Sequence, residues 1–587
     1  MRKLIVLLIS LTVVCMLAGF VPVNKQQEHI REIADTIFIN GKVYTVETNQ
    51  PWAEVVAIAK GKIIYVGDTH GVKKYEGKNT KVIDLKGKML LPGFVDSHLH
   101  ASETVNSLYS VNLISGRTIE EYIQMVEKYA KEHSGVSVIH GAGWSNTLFP
   151  TTGPTKESLD AVVKDIPVAL ISEDYHSIWV NSKALEIAGI TKDTPNPEGG
   201  VIERDEKGEP SGTLRDTATN LVLDKLPKFN TEQYKEALAV FQELAASNGY
   251  TQVNDVVVPQ QDTVIEALTM LEKEQALSVR HNLSLAVQPS EGESRIPYLK
   301  EQRAKLQGPL VKMNTVKLFM DGVLEGGTAF LHEPYNNKTN YYGVPVWEKK
   351  SYAHLIQTLD QEKFQIHVHS VGDAATTETL DAFASAQQQN GKRDSRHKIT
   401  HLQLVEESDF KRFKDLGIIG VPQPTWFLKN GAYFSQAVDL LGEERANKQY
   451  PMQSFIKEGI AMASASDYPI THGKYFSPLA GIQMGITRTD LQDTNPEHTN
   501  PEHTNPEHVL NPKEKVSLED MIKSYTINGA YANFLEKETG SIKVGKKADF
   551  VVLDKNLFEI PEQDIHKTKI LLTLLEGKET YRHPDFQ

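Results

Sequence analysis

Cysteine is almost missing from these 587 residues: Cys15 stands alone. No intramolecular disulfide can form, and no thiolate is available downstream, so any metal site must draw on His, Asp, Glu or Lys. Positive charge is also scarce. Lys and Arg number 63 against 76 Asp and Glu, a formal net charge of −13. That balance argues against a nucleic-acid partner, which needs a basic patch. Long apolar runs are lacking except for LIVLLISLTVVCMLAGFVPV at the N-terminus, which excludes a bundle of membrane helices. This run follows the basic start Met1-Arg2-Lys3 and precedes polar NKQQEHIRE, the layout of a signal peptide or single membrane anchor over residues 1–23. The expected location is therefore outside the cytoplasm, secreted or attached to the outer face of the membrane. Val13 and Val14, before Cys15, are large for a lipidation site.

Residues 33–88 read as short strands parted by Asn-Gly, Lys-Gly and Gly-Asp turns, and GSIKVGKKADFVVLD and KILLTLLEGKETY near the other end read alike. Neither end alone can bury a sheet face. Residues 33–88 plus 541–587 are therefore expected to form one small composite β-sandwich. Between them, residues 89–540 alternate strand-like and amphipathic helical stretches. The strand candidates LLPGFVD, GYTQVND, VRHNLSLAV, NTVKLFM, FQIHVH, HKITHL, IIGVPQ and AMASAS predict an α/β fold, a (β/α)₈ TIM-like barrel. The long gap from His100 to Gly249 carries strand signals of its own. It is read as an inserted subdomain, about 101–249, between strands 1 and 2. Residues 494–508 repeat TNPEH in tandem; a proline in every repeat excludes a regular helix or central strand, so a surface loop is expected. Its histidines could bind metal adventitiously, without a fixed geometry.

The chemistry starts at LPGFVDSHLH. His98 and His100 are two apart at a strand end, so both rings project from one face and can converge on one ion. Further candidates fall at the ends of later strands: Lys317 in VKLFMDG, His369 in IHVHSVGD, His401 in ITHLQLV and Asp467 in SASDYP. The C-terminal face of a barrel is where such residues meet.

This ordered set resembles the amidohydrolase superfamily. Its detail resembles amidohydrolase family 3, which includes N-substituted formamide deformylases. The similar strings are LPGFVDSHLH, YHSIWVNSKAL, GGVIERDEKGEPSGTLRD, VKLFMDGVLEGGTAFLHEPY, HVHSVGDAA, RHKITHLQLV, SDYPI and SYTINGAYANFLEKETGSIKVGKKADFVVLD, covering nearly everything from residue 33 onward. The resemblance implies a barrel with a composite β-sandwich and a divalent metal centre. Its expected ligands are His98, His100, His369, His401 and Asp467, with Lys317 carboxylated by CO₂ into an anionic bridge. Two ions are expected, zinc first, with iron or manganese as alternatives. The implied reaction is hydrolysis of a non-peptide C–N bond in a small amide-type molecule by a metal-activated hydroxide, with Asp467 handling the proton. Trp144, His176, Trp179, Asp321 and Trp426 are candidates for contacting substrate. Two positions depart from the family pattern: Trp426 replaces a histidine in QPTW, and Asp216 stands where a glutamate is frequent. The alternatives are a non-catalytic exported binding or regulatory protein on the same fold, and a metal carrier using the TNPEH repeat. Oligomeric state is left open.

Overall fold

The computed structural model describes residues 32–258, 260–429, 431–491 and 508–586. The N-terminal apolar run and all but the last residue of the TNPEH repeat lie outside the described residues.

Seven parallel strands form the centre: β1 (Phe94–Leu99), β2 (Tyr250–Val257), β3 (Arg280–Ala286), β4 (Val311–Phe319), β5 (Gln365–Ser370), β6 (Lys398–His401) and β7 (Ile419–Val421). They lie side by side in the order β7-β6-β5-β4-β3-β2-β1. The extended segment 461–466 closes the ring. On one side Ala463 N donates to Gly420 O at 2.9 Å and Ala465 N to Pro422 O at 3.0 Å. On the other, Ser97 N donates to Ser464 O at 3.2 Å and Asp467 N to His98 O at 2.9 Å. The result is a TIM-like barrel.

Strand periodicity decides what the barrel encloses. In β5, Ile366 and Val368 join the apolar layer shared with the outer helices. The alternate residues Gln365, His367 and His369 project inward. A barrel interior is ordinarily filled by Val, Ile and Leu. Here buried Asn254, Ser284, Thr315, Lys317, Gln365, His367 and Lys398 occupy the strands instead. Register aligns them across neighbouring strands, Lys317 opposite His367 and His367 opposite Lys398.

Two sheets at the chain termini pack over one apolar core that includes Phe38, Val56, Leu90, Phe550 and Leu572. Chain ends meet there: Phe550–Leu553 pairs antiparallel with Met89–Pro92. The motif LLPGFVD, expected as one barrel strand, is thus two strands in different sheets. The break is at Gly93, where a Cβ would meet the Thr251 side chain at 2.3 Å. Arg280, buried at the start of β3, joins the two parts through Asp549 and Glu576, each at 3.0 Å.

The insertion carries its own six-stranded sheet, from Val111–Asn112 to Pro210–Asp216. Helix Ile119–Glu132, capped by the Thr118 side chain, covers it with Tyr122 and Val126. The expected span of 101–249 was too long. Helix Thr231–Ser247, started by a capping box at Asn230 and Gln233, packs Leu238, Phe241 and Ala245 into the barrel core and belongs to the outer ring.

Candidate metal centre

All six candidate ligands lie at or near the C-terminal ends of barrel strands. His98 Nε2 is 3.3 Å and His100 Nε2 3.4 Å from Asp467 Oδ1. His401 Nδ1 is 3.7 Å from Asp467 Oδ2. One ligand atom each from His98, His401 and Asp467 fall within 4.8 Å of one another. The His369 ring centre is 4.4 Å from that of His401. Lys317 is fully buried on β4 and its Nζ has no hydrogen-bond partner. No ion pair joins Lys317 to Asp321, whose carboxylate accepts backbone N–H groups instead. Two of the candidate ligands lie on strained backbone: His401 sits at φ 75° and Asp467 at φ 59°, left-handed conformations uncommon for non-glycine residues.

The hydrogen bonds show what this set can hold. Val256 O faces His100 Nδ1 at 3.0 Å, and Gly322 O faces His369 Nε2 at 3.0 Å. A carbonyl only accepts, so those nitrogens carry protons; burial pushes His369 well below its ordinary pKa, which keeps a lone pair on its Nδ1. Gln423 Oε1 similarly accepts from His401 Nδ1 at 3.0 Å. His98 Nε2 and His100 Nε2 both face Asp467 Oδ1, which has no hydrogen-bond partner. Imidazole nitrogens converging on a buried carboxylate oxygen form a donor set that a divalent cation can occupy. Burial, then the charge of Lys317, pushes His98 well below its ordinary pKa. Burial brings His401 down to about 3, against the pull of Asp467. Neutral imidazoles with a carboxylate suit zinc, iron or manganese.

The candidate substrate contacts divide. His176 Nδ1 binds Asp216 Oδ1 at 2.7 Å, and its ring lies 4.8 Å from His369. Burial disfavours a charge on His176, but Asp216 outweighs it and the pKa is raised. Trp426 stacks on His401, ring centres 5.5 Å apart and planes 8° from parallel. Trp144 and Trp179 are corrections. Both are buried in the insertion's own core, with indole N–H groups donating to Leu170 O and Thr155 O at 2.8 Å. Asp321 is a correction too. It accepts from Phe330, Val371 and Gly372 backbone N–H groups at 2.8–3.0 Å and pins the loop after β4 to the end of β5.

Sequence reading missed two features. His367 lies 3.2 Å from His98, and the second HxH of the chain, His367 and His369, was its signal. A small crevice is lined by Asn106, Ile114, Glu173, Tyr175, Pro469 and His472, with Pro469 two residues beyond Asp467 in the chain. Burial raises Glu173 to about 7, and the Tyr433 hydroxyl donates to it. These residues come from three separate segments, so no local motif announces them.

A profile of the Amidohydrolase family matches residues 81–581. The chain belongs to the amidohydrolase family. Among its relatives, Protein LONG AFTER FAR-RED 3 of Arabidopsis thaliana is 30% identical over 94% of this chain and 92% of that protein. An N-substituted formamide deformylase of Arthrobacter pascens is 24% identical over 93% of this amidohydrolase and 98% of that one. The crystal structure of an uncharacterized metal-dependent hydrolase from Pyrococcus furiosus is similar at a TM-score of 0.66, with 26% identity, 89% of this chain and 99% of that chain covered.

Proposed function

We propose that this amidohydrolase is a metal-dependent hydrolase acting on a non-peptide, amide-type C–N bond of a small molecule. The observation that carries the reading is the convergence of His98 Nε2 and His100 Nε2 on Asp467 Oδ1, at 3.3 and 3.4 Å, with His401 close by at the barrel mouth. The names of the Arthrobacter and Pyrococcus relatives support it. His98, His100, His369, His401 and Asp467 would hold divalent metal, with carboxylated Lys317 as a bridge. Metal bound there polarises a carbonyl and acidifies water.

The chain's own residues supply the rest. Burial brings Lys317 to about 7, so a large share of it is the neutral amine at neutral pH. Its nitrogen can then attack CO₂, forming an N–C bond and releasing a proton, and an anionic carbamate replaces the ammonium. Asp467 accepts the proton of the attacking water and delivers it to the leaving nitrogen, which could not leave as an amide anion. His176, whose pKa Asp216 raises, would donate to the substrate oxygen from the His369 side. Trp426 walls off His401 on the other side and excludes water.

The test is a hydrolysis screen of N-formyl, N-acyl and cyclic amides with protein reconstituted in zinc and bicarbonate. Metal-dependent turnover of at least one class is expected. Metal-loaded protein that cleaves none of them contradicts the assignment of bond type.

A further inference from the structure

His98 differs from the other ligand histidines in what orients it. Its Nδ1 faces no carbonyl or carboxylate but another imidazole, His367 Nε2, at 3.2 Å. Either nitrogen could carry the shared proton, so the pair alone does not determine which His98 nitrogen is free for an ion.

The next residue decides it. His367 Nδ1 lies 3.2 Å from Asn254 Oδ1. The orientation of that amide is fixed, because Asn254 Nδ2 donates to the backbone oxygen of Asn282 at 3.0 Å and faces Asn533 Oδ1 at 3.4 Å. Ser284 Oγ donates to Asn254 Oδ1 at 3.1 Å. An amide oxygen accepts only, so His367 Nδ1 carries its proton. His367 is wholly buried, and no carboxylate among the described residues pairs with it. A charged ring there would lack a counter-ion, so the ring is neutral and its Nε2 is a bare acceptor. His98 must then donate from Nδ1, which leaves its Nε2 lone pair facing Asp467.

We propose that His367 is a positioning residue of the metal centre, fixing His98 in the Nδ1–H tautomer through a relay that starts at Asn254. The relay uses β1, β2 and β5, so the inward polar residues of three strands specify one nitrogen. Partners of this kind typically change metal affinity by about 10–100-fold when removed. The proposal rests on the metal-centre reading above.

The experiment is a double-mutant cycle read by Co²⁺ affinity, from chelator competition, and by the Co²⁺ ligand-field spectrum. Folding of each apo-protein is checked by circular dichroism. His367→Met, whose thioether is only a weak acceptor, is expected to weaken Co²⁺ binding by about 10–100-fold and alter the spectrum. His367→Gln, whose side-chain oxygen can accept from His98, should restore most of the affinity. In a His98→Gln background, His367→Met should cause little further loss, because His367 acts through His98. If His367→Met does not fold, Asn254→Ala takes its place in the same cycle. Unchanged affinity in the folded single variant, or additive losses in the cycle, overturns the proposal. Failure of the wild-type chain to bind Co²⁺ overturns the metal-centre reading instead.

Discussion

At the scale of single residues, the account assigns distinct tasks to groups a few ångströms apart, and substitutions should separate them. Asp467→Asn keeps size and one oxygen but cannot accept a proton at neutral pH. Turnover should fall about 10²–10⁴-fold, the usual contribution of a general acid–base group, while elemental analysis still finds most of the metal. Asp216→Asn tests the donor role of His176. The His176 pKa is raised by Asp216, and activity needs its protonated form, so activity is lost as pH rises through that pKa. Removing the carboxylate lowers the pKa, and the basic limb of the pH–rate profile should move to lower pH. A limb that stays in place would remove His176 from catalysis. Lys317→Ala should lose both metal and activity, with partial return in short-chain carboxylic acids, because no other group can replace the proposed bridge.

At the scale of elements, the strands were legible where periodicity and position agreed. The alternation of QIHVHS is readable from sequence alone. Boundaries set by tertiary packing were not. Gly93 splits LLPGFVD between two sheets because Thr251, over 150 residues away, leaves no room for a side chain. The indoles of Trp144 and Trp179 looked like pocket walls because aromatic residues serve either purpose. Only the pairing of their strands shows both rings inside the insertion. Trp144→Phe should accordingly lower the melting temperature and leave KM unchanged. A changed KM with unaltered stability would return this residue to the pocket. Arg280 tests the joint between barrel and terminal sheets. Arg280→Met leaves Asp549 buried without its cation and should lower stability by about 3–5 kcal/mol, measured by urea unfolding.

At the scale of the whole molecule, the polar barrel interior is the feature that composition hides. Lys317, His367 and Lys398, aligned on neighbouring strands, would be poor choices for a core whose only task was stability. They make sense beneath a centre that needs its ligands oriented. The candidate ligands stand out in the sequence because each falls at or near the C-terminal end of a strand-like stretch. The crevice does not, because Asn106, Glu173 and His472 are brought together only by the insertion and the loop after residue 467. The proposed export of the chain also belongs to this scale: a reporter fused to the C-terminus should be active only outside the cytoplasm, and cytoplasmic activity would refute it. The central claim is the place of the metal. Anomalous X-ray scattering at the zinc edge, from crystals reconstituted with zinc and bicarbonate, tests it most directly. The account predicts one or two peaks enclosed by His98, His100, His369, His401 and Asp467, with density beyond Lys317 Nζ if there are two. Zinc found only elsewhere, or no peak among these residues, would contradict it.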